Sequence, residues 1–303
     1  MFKLLFVLGA AYLAYRVFPA RIFDLAVRMQ RRQSGLARKE IQVGDHRIAY
    51  LEGGHGAPLL LLHGFGAEKD HWTQIARFLT PSYRVIAPDL PGFGESSRLE
   101  SATYNLDAQL ERIAGFAQAL GLAHFHLGGN SMGGYFAAMY AARTPEQVLS
   151  LWLLAPAGVA DAEESELLRL INRGDNLLIL DSEDKAKRLV HLLFTKPPFV
   201  PEGFAAVWRK RAMAMREFSA KIFGELFVNP VLLDERLPGL SIPALIVWGD
   251  DDRLLHVSGA ARLKAMLPNA ELRIMPCMGH CPMLERPRET AADFLNFQGK
   301  GLP

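Results

Sequence analysis

Gly129-Asn130-Ser131-Met132-Gly133 follows directly on the apolar run His126–Gly129 and opens a segment of helical periodicity. A bend from strand to helix needs small residues on both sides, because only they let the backbone fold back closely. The bend pushes the serine hydroxyl above the end of the strand. The helix N-terminus behind it favours developing negative charge. Composition alone, with 26 glycines in 303 residues, yields roughly 0.09 such pentapeptides by chance. The position between strand and helix therefore counts as much as the motif.

Working outward, short apolar runs alternate with helix-period segments from Ile41 onward, the pattern of an α/β fold with a mostly parallel sheet and helices on both faces. The expected strands are Ile41–Val43, Arg47–Leu51, Leu59–Leu62, Arg84–Ala87, His126–Gly129, Leu149–Leu154, Ala244–Trp248 and Glu271–Met275. Gly44-Asp45 is expected to turn the first two into a hairpin. Runs such as Leu59-Leu60-Leu61-Leu62 are apolar at every position, as strands buried on both faces must be. Strand-like runs vanish between Gly158 and Leu237. Helices are expected there around Glu163–Asn172, Asp184–Phe194 and Phe204–Phe227, which makes residues 158–237 an inserted helical cap between core segments 41–157 and 238–303.

The N-terminus has a different character. Leu4–Tyr15 is unbroken apolar sequence between Lys3 and Arg16. As a helix, residues 1–18 would span roughly 27 Å, close to the ~30 Å hydrocarbon core of a bilayer. No small-x-small cleavage site follows, so an uncleaved single-pass anchor is expected rather than a signal peptide. Residues 19–40 interleave arginine with apolar residues, as an interfacial juxtamembrane helix does, with Pro19 at the join. Ala10 and Ala14 are small residues four apart, a pattern through which two anchors could pair as a homodimer. Arginines behind the apolar run favour a cytoplasmic body, whereas the signal-like start favours export, so the side of the membrane stays open.

Charge follows the same division. Residues 1–40 hold eight Lys/Arg against two Asp/Glu, a net of +6, which leaves −4 for residues 41–303 out of a formal total of +2. A folded face that bound nucleic acid would be basic, so that partner is excluded. Half of the chain is hydrophobic, which excludes intrinsic disorder. Cys277 and Cys281 are too few for a disulfide framework or a four-cysteine zinc site.

Three further elements suit acyl transfer. His63-Gly64-Phe65-Gly66 follows a buried strand, where backbone N–H groups can bind an oxyanion; the Phe65 and Met132 N–H groups are the two expected donors, with Gly64, Phe65 and Met132 touching substrate. His63 itself is expected to shape this loop. Trp248-Gly249-Asp250-Asp251-Asp252 and Met278-Gly279-His280 then follow in chain order. Serine, aspartate and histidine in that order make a nucleophile, an orienting carboxylate and a general base. His280 is preferred over His256, which lies only four residues from Asp252. For the acid, Asp252 is preferred and Asp250 comes second. Asp161, just behind the strand Leu149–Leu154, is a further candidate.

Together with Asp89-Leu90-Pro91-Gly92-Phe93-Gly94-Glu95-Ser96, these motifs resemble the α/β-hydrolase fold over about residues 41–303. The resemblance implies a Ser131–Asp252–His280 triad, the acid being the residue three after Gly249, and a helical cap behind the sixth strand. It implies no metal and no organic cofactor. Asn130 stands where many relatives carry histidine, and His256 where many carry proline. With the N-terminal segment added, the chain is similar to membrane-anchored monoacylglycerol lipases and bacterial membrane-bound phospholipases of type A. That implies a serine carboxylester hydrolase of lipid esters, working through an acyl-enzyme on an anchor of the bacterial inner-membrane type.

The cap supports a lipid substrate. Leu177, Leu178, Ile179, Leu180, Leu192, Leu193, Phe194, Phe199, Phe204, Trp208, Met213, Met215, Phe223 and Phe227 offer more apolar surface than a polar metabolite would use. A subset of them is expected to line an acyl pocket. Two other readings compete. One is a hydrolase of small soluble substrates, a short-chain esterase or carbon–carbon bond hydrolase, which would need no anchor. The other is a non-catalytic scaffold, which would be expected to have lost a triad member.

Overall fold

The computed structural model describes residues 17–301. Its centre is one eight-stranded sheet of β1 (Leu36–Val43), β2 (His46–Gly53), β3 (Ala57–Leu62), β4 (Tyr83–Pro88), β5 (Phe125–Asn130), β6 (Val148–Leu154), β7 (Ala244–Gly249) and β8 (Ala270–Met275), in the order β1-β2-β4-β3-β5-β6-β7-β8. The β1–β2 hairpin and its pairing with β4 are antiparallel, and every other pair is parallel. All eight expected strands are present.

The helices are α1 (Pro19–Gln33), α2 (Thr73–Leu79), α3 (Leu106–Ala119), α4 (Met132–Arg143), α5 (Glu166–Asn172), α6 (Glu183–Leu193), α7 (Glu202–Ala214), α8 (Arg216–Phe227), α9 (Ser258–Met266), α10 (Pro282–Glu285) and α11 (Pro287–Phe297). Alternation along the strands explains their continuous apolarity. Leu60, Leu62, Leu127, Leu153 and Ile246 face the layer of α3, α4 and α9. Leu59, Leu61, Trp152, Leu154 and Val247 face α2 and α11 on the other side. Each such fully buried leucine stabilises the fold by about 1.5–3 kcal/mol.

Two boundaries differ from the sequence expectation. Residues 36–40, assigned to the juxtamembrane helix, begin β1 and pair along β2 from Leu36 opposite Gly53. β1 is an edge strand with mostly exposed side chains, so no apolar alternation marks it. Phe204–Phe227, expected as one helix, is two helices that meet at Met215.

The cap carries α5 to α8 between β6 and β7, with its own core of Leu167, Leu177, Leu180, Ala186, Leu189 and Leu192. It is stitched to the core where the site lies: Leu167 N–H donates to Arg253 O (3.1 Å) and His280 N–H to Leu193 O (2.8 Å). The expected anchor at residues 1–18 falls almost wholly outside the described residues, and no helix among the described residues is long and apolar enough to cross a membrane. Pro19 is the first residue of α1, where its missing N–H removes no helix bond.

Candidate active site

Ser131 stands between β5 and α4 with φ 56° and ψ −120°, a backbone conformation that side chains rarely adopt and that packing must impose. The glycines around it make the bend possible. A Cβ on Gly129 would lie 2.3 Å from the Gly133 backbone, and one on Gly133 would lie 2.1 Å from Leu62 O. Ser131 N–H donates to Leu154 O (3.0 Å), and its carbonyl accepts from Tyr135 and Ala157.

Asp252 and His280 come from the loops that follow β7 and β8 and are both buried. His280 Nδ1–H donates to Asp252 Oδ2 at 2.7 Å, while Asp252 Oδ1 accepts from Leu254 N–H (2.9 Å) and Leu255 N–H (3.0 Å). The carboxylate is thus fixed at both oxygens. The opposite ring nitrogen, His280 Nε2, is buried without a hydrogen-bond partner. Ser131 and His280 border one cavity of about 1080 Å³, at the upper limit of the roughly 300–1,000 Å³ usual for ligand pockets.

Neither of the other candidate acids meets His280, although Asp161 borders the same cavity. Asp250 accepts from Met278 N–H at 3.4 Å, and Asp161 lies 3.6 Å from Arg262. His256 Nδ1 pairs with Ser258 Oγ (2.9 Å) and does not meet Asp252. Cys281 is buried and Cys277 exposed, and both are free.

The Gly64–Phe65 segment passes close to the serine: a Cβ on Gly64 would lie 3.3 Å from Ser131 Cβ. His63 holds it. His63 Nδ1–H donates to Gly64 O (2.8 Å) and Nε2 accepts from Leu90 N–H (2.9 Å). Burial pushes this imidazole down to about 3, so it is neutral and serves as a brace. Met132 is the first residue of α4, whose leading N–H groups have no partner within the helix. Asn130 Nδ2 donates to Leu154 O (3.1 Å) and to His280 O (3.0 Å), tying the bend to the histidine loop.

Of the cap residues singled out above, Leu178, Leu180, Leu193, Phe194, Phe204, Trp208, Met215, Phe223 and Phe227 border the cavity. Leu177 and Leu192 pack within the cap core with Met213 against them, and Phe199 is 92% exposed. The Phe65 ring meets Phe223 and Phe227 edge-on (5.9 and 6.1 Å) and so couples its loop to the cap. Sequence reasoning missed the wall supplied by α1. Phe23, Val27 and Gln30 border the cavity at i, i+4 and i+7, a helical stripe that the arginines between them obscured. Phe23 packs on Phe204 of α7 (5.4 Å), and Asp24 pairs with Arg211 (2.8 Å).

Several known proteins are similar to this chain. Lipase 1 of Psychrobacter immobilis is 38% identical over 280 residues, covering 90% of this chain and 87% of that protein. Monoacylglycerol lipase abhd6-A of Xenopus laevis is 32% identical over 305 residues, covering 93% and 89%. The crystal structure of a membrane phospholipase A, a bacterial virulence factor, superposes with a TM-score of 0.91 at 42% identity, covering 98% of this chain and 97% of that one. The chain is accordingly a carboxylic ester hydrolase. The family model of the alpha/beta hydrolase fold matches residues 57–287, and with the sheet, bend and cap described above the chain belongs to the α/β-hydrolase fold family.

Proposed function

We propose that this hydrolase of lipid esters uses Ser131 as nucleophile, His280 as general base and acid, and Asp252 to orient and stabilise the imidazole. His280 Nε2 takes the proton from Ser131 Oγ as the oxygen attacks the ester carbonyl. The Phe65 and Met132 N–H groups bind the oxyanion. His280 then passes the proton to the leaving alcohol oxygen, and water, deprotonated by the same nitrogen, releases the fatty acid from the acyl-enzyme. The observation that carries this reading is the 2.7 Å Asp252–His280 bond with an unpartnered Nε2 bordering the same cavity as Ser131.

The lining of that cavity favours long acyl chains over small polar substrates. Helix α1 supports action at a membrane surface. At about 100° per residue, its cavity-facing residues Phe23, Val27 and Gln30 lie opposite Phe18, Leu25 and Met29, which are 50–52% exposed. Arg21, Arg28 and Arg32 flank that outer apolar stripe, as in a helix lying in the headgroup layer with residues 1–18 anchored in the bilayer beneath it.

The test is fatty-acid release from monoacylglycerols, lysophospholipids and short soluble esters by the full chain and by Ser131→Ala. Loss of all release with unchanged thermal unfolding is expected. Near-normal turnover by the alanine variant would end the assignment.

A further inference from the structure

The loop that carries His280 is held by two side chains that the proposed mechanism does not use. Within it, Cys277 stands at φ 50°, a left-handed conformation that a residue other than glycine keeps only where its surroundings impose it. The short helix α10 follows His280 after Cys281, so that Glu285 and Arg286 fold back on the loop they have just left. Arg286 Nη2 donates to Pro276 O and to Cys277 O, both at 2.9 Å. Glu285 takes the other end of the loop, where its Oε2 accepts from Gly279 N–H (3.3 Å), next to the histidine.

The same carboxylate reaches the cap. Its Oε2 also accepts from Thr195 N–H (3.2 Å), and its Oε1 accepts from Lys196 N–H (2.9 Å). These residues lie just beyond α6, in a segment bonded to both loops of the triad. Leu193 O accepts from His280 N–H (2.8 Å), Phe194 O accepts from Arg253 Nη2 (3.1 Å), and Thr195 Oγ1 donates to Asp251 Oδ2 (2.7 Å). Asp251 and Arg253 flank Asp252, so residues 193–196 brace the acid loop and the base loop together. The approach is close: a Cβ on Gly279 would lie 2.6 Å from Leu193 O and 2.9 Å from Thr195 N. Glu285 is half-buried, and its charge is directed at three backbone N–H groups. Hydrogen bonds to an ionised acceptor are roughly twice as strong as neutral ones.

We propose that Glu285, with Arg286 beside it, is a positioning residue for His280. Glu285 gathers N–H groups from the cap and from the histidine loop onto one carboxylate, Arg286 holds the strained part of that loop, and together they keep the imidazole in register with Asp252. The proposal rests on the Ser131–Asp252–His280 reading above and adds what sets the place of its base. A base must sit within about 0.5 Å of its working position, and a backbone loop secures that only where other groups restrain it.

The experiment measures kcat and KM of the full chain for one long-chain p-nitrophenyl ester, together with Tm. Glu285→Ala should lower kcat by about 10- to 100-fold, the cost of a displacement of about 1 Å, and leave KM nearly unchanged. Glu285→Gln, which keeps one acceptor oxygen, should recover most of the lost kcat. Arg286→Leu, which frees the exposed Pro276 and Cys277 carbonyls, should lower kcat in the same way and supplies the reading should Glu285→Ala fail to fold. Residues that act as a unit are not additive, so in an Asp252→Asn background either substitution should cost less than about threefold. An undiminished kcat in Glu285→Ala and Arg286→Leu, or a full further loss in the Asp252→Asn background, would overturn the positioning role and leave the triad standing. Wild-type turnover by Asp252→Asn alone would instead sink the triad reading, and the positioning role with it.

Discussion

Asn130→Ala tests whether the tie between the bend and the histidine loop matters. Asn130 is 3% exposed, and its amide nitrogen bridges Leu154 O and His280 O. After truncation, Leu154 O still accepts from Ser131 N–H at 3.0 Å, so only about 0.5–1.5 kcal/mol is lost there. The His280 carbonyl loses its side-chain donor in a buried setting, at a cost of about 1–3 kcal/mol. The sum, about 1.5–4.5 kcal/mol, corresponds to a fall of roughly 2–7 °C in Tm at about 2.1 cal/mol/K of unfolding entropy per residue over 303 residues. Catalysis should suffer separately, because His280 hangs from that carbonyl's backbone. A displacement of about 1 Å costs up to ~100-fold, so kcat should fall about 10- to 100-fold with little change in KM. Thermal unfolding followed by circular dichroism and steady-state hydrolysis of a long-chain ester read the two effects. A lowered Tm with full kcat would show that Asn130 is scaffold only. An unchanged Tm would refute the energetic argument itself.

Asp252→Asn should lower kcat by about 10³–10⁴-fold through loss of the orienting carboxylate, whereas Asp250→Asn should stay within about threefold of wild type, since its weak contact with Met278 is not part of the proton relay; the reverse order in ester turnover would reassign the acid. His126 is held neutral, its imidazole pushed down by burial to about 4. The unfolded chain therefore takes up a proton that the native state refuses between about pH 6.5 and 4, and stability must be lost as pH falls through that window. In denaturant titrations, His126→Gln should make this decline shallower by up to one proton's worth of slope; an identical slope would show that the ring protonates in place.

The parts of the fold that could be read from the chain were those that burial constrains on two sides. Leu59–Leu62 and Ala244–Trp248 admit no polar residue because helices cover both faces. β1 escaped at residues 36–40 because an edge strand can be charged along its length and still pair fully with β2. The division of Phe204–Phe227 escaped as well: neither Gly nor Pro stands at Met215, and tertiary packing alone turns the chain there. The proposed triad of Ser131, Asp252 and His280 was suggested by motif order, since the bend and the two loop ends each need particular residue types. The cavity wall of Phe23, Val27 and Gln30 was not legible, because the arginines between them mask a stripe that acquires meaning only when the fold sets α1 against the cavity.

The ionic cluster around Lys69 links α1 to the loop of the proposed active site. Lys69 and Asp89 are both fully buried, and Asp89 also accepts from the Lys69 N–H (2.7 Å) and the Glu95 N–H (2.7 Å). Glu95 in turn receives Arg31 (3.1 Å) and Arg38 (2.5 Å). Desolvation offsets most of the attraction in such a cluster, so its net contribution to stability is small. What it fixes is geometry, because removal of Lys69 or Asp89 strands the other as a buried charge. Gly94 belongs to the same unit, since a Cβ there would lie 2.2 Å from the Asp89 carboxyl carbon. Arg31 donates to both oxygens of Asp70 (2.6 and 2.5 Å), so the last turn of α1 is locked to the Lys69–Trp72 turn, only a few residues from Phe65. Under the proposed function, a helix whose outer stripe rested on lipid would not tilt independently of the segment proposed to bind the oxyanion, and the position of the membrane surface would be set relative to the ester bond.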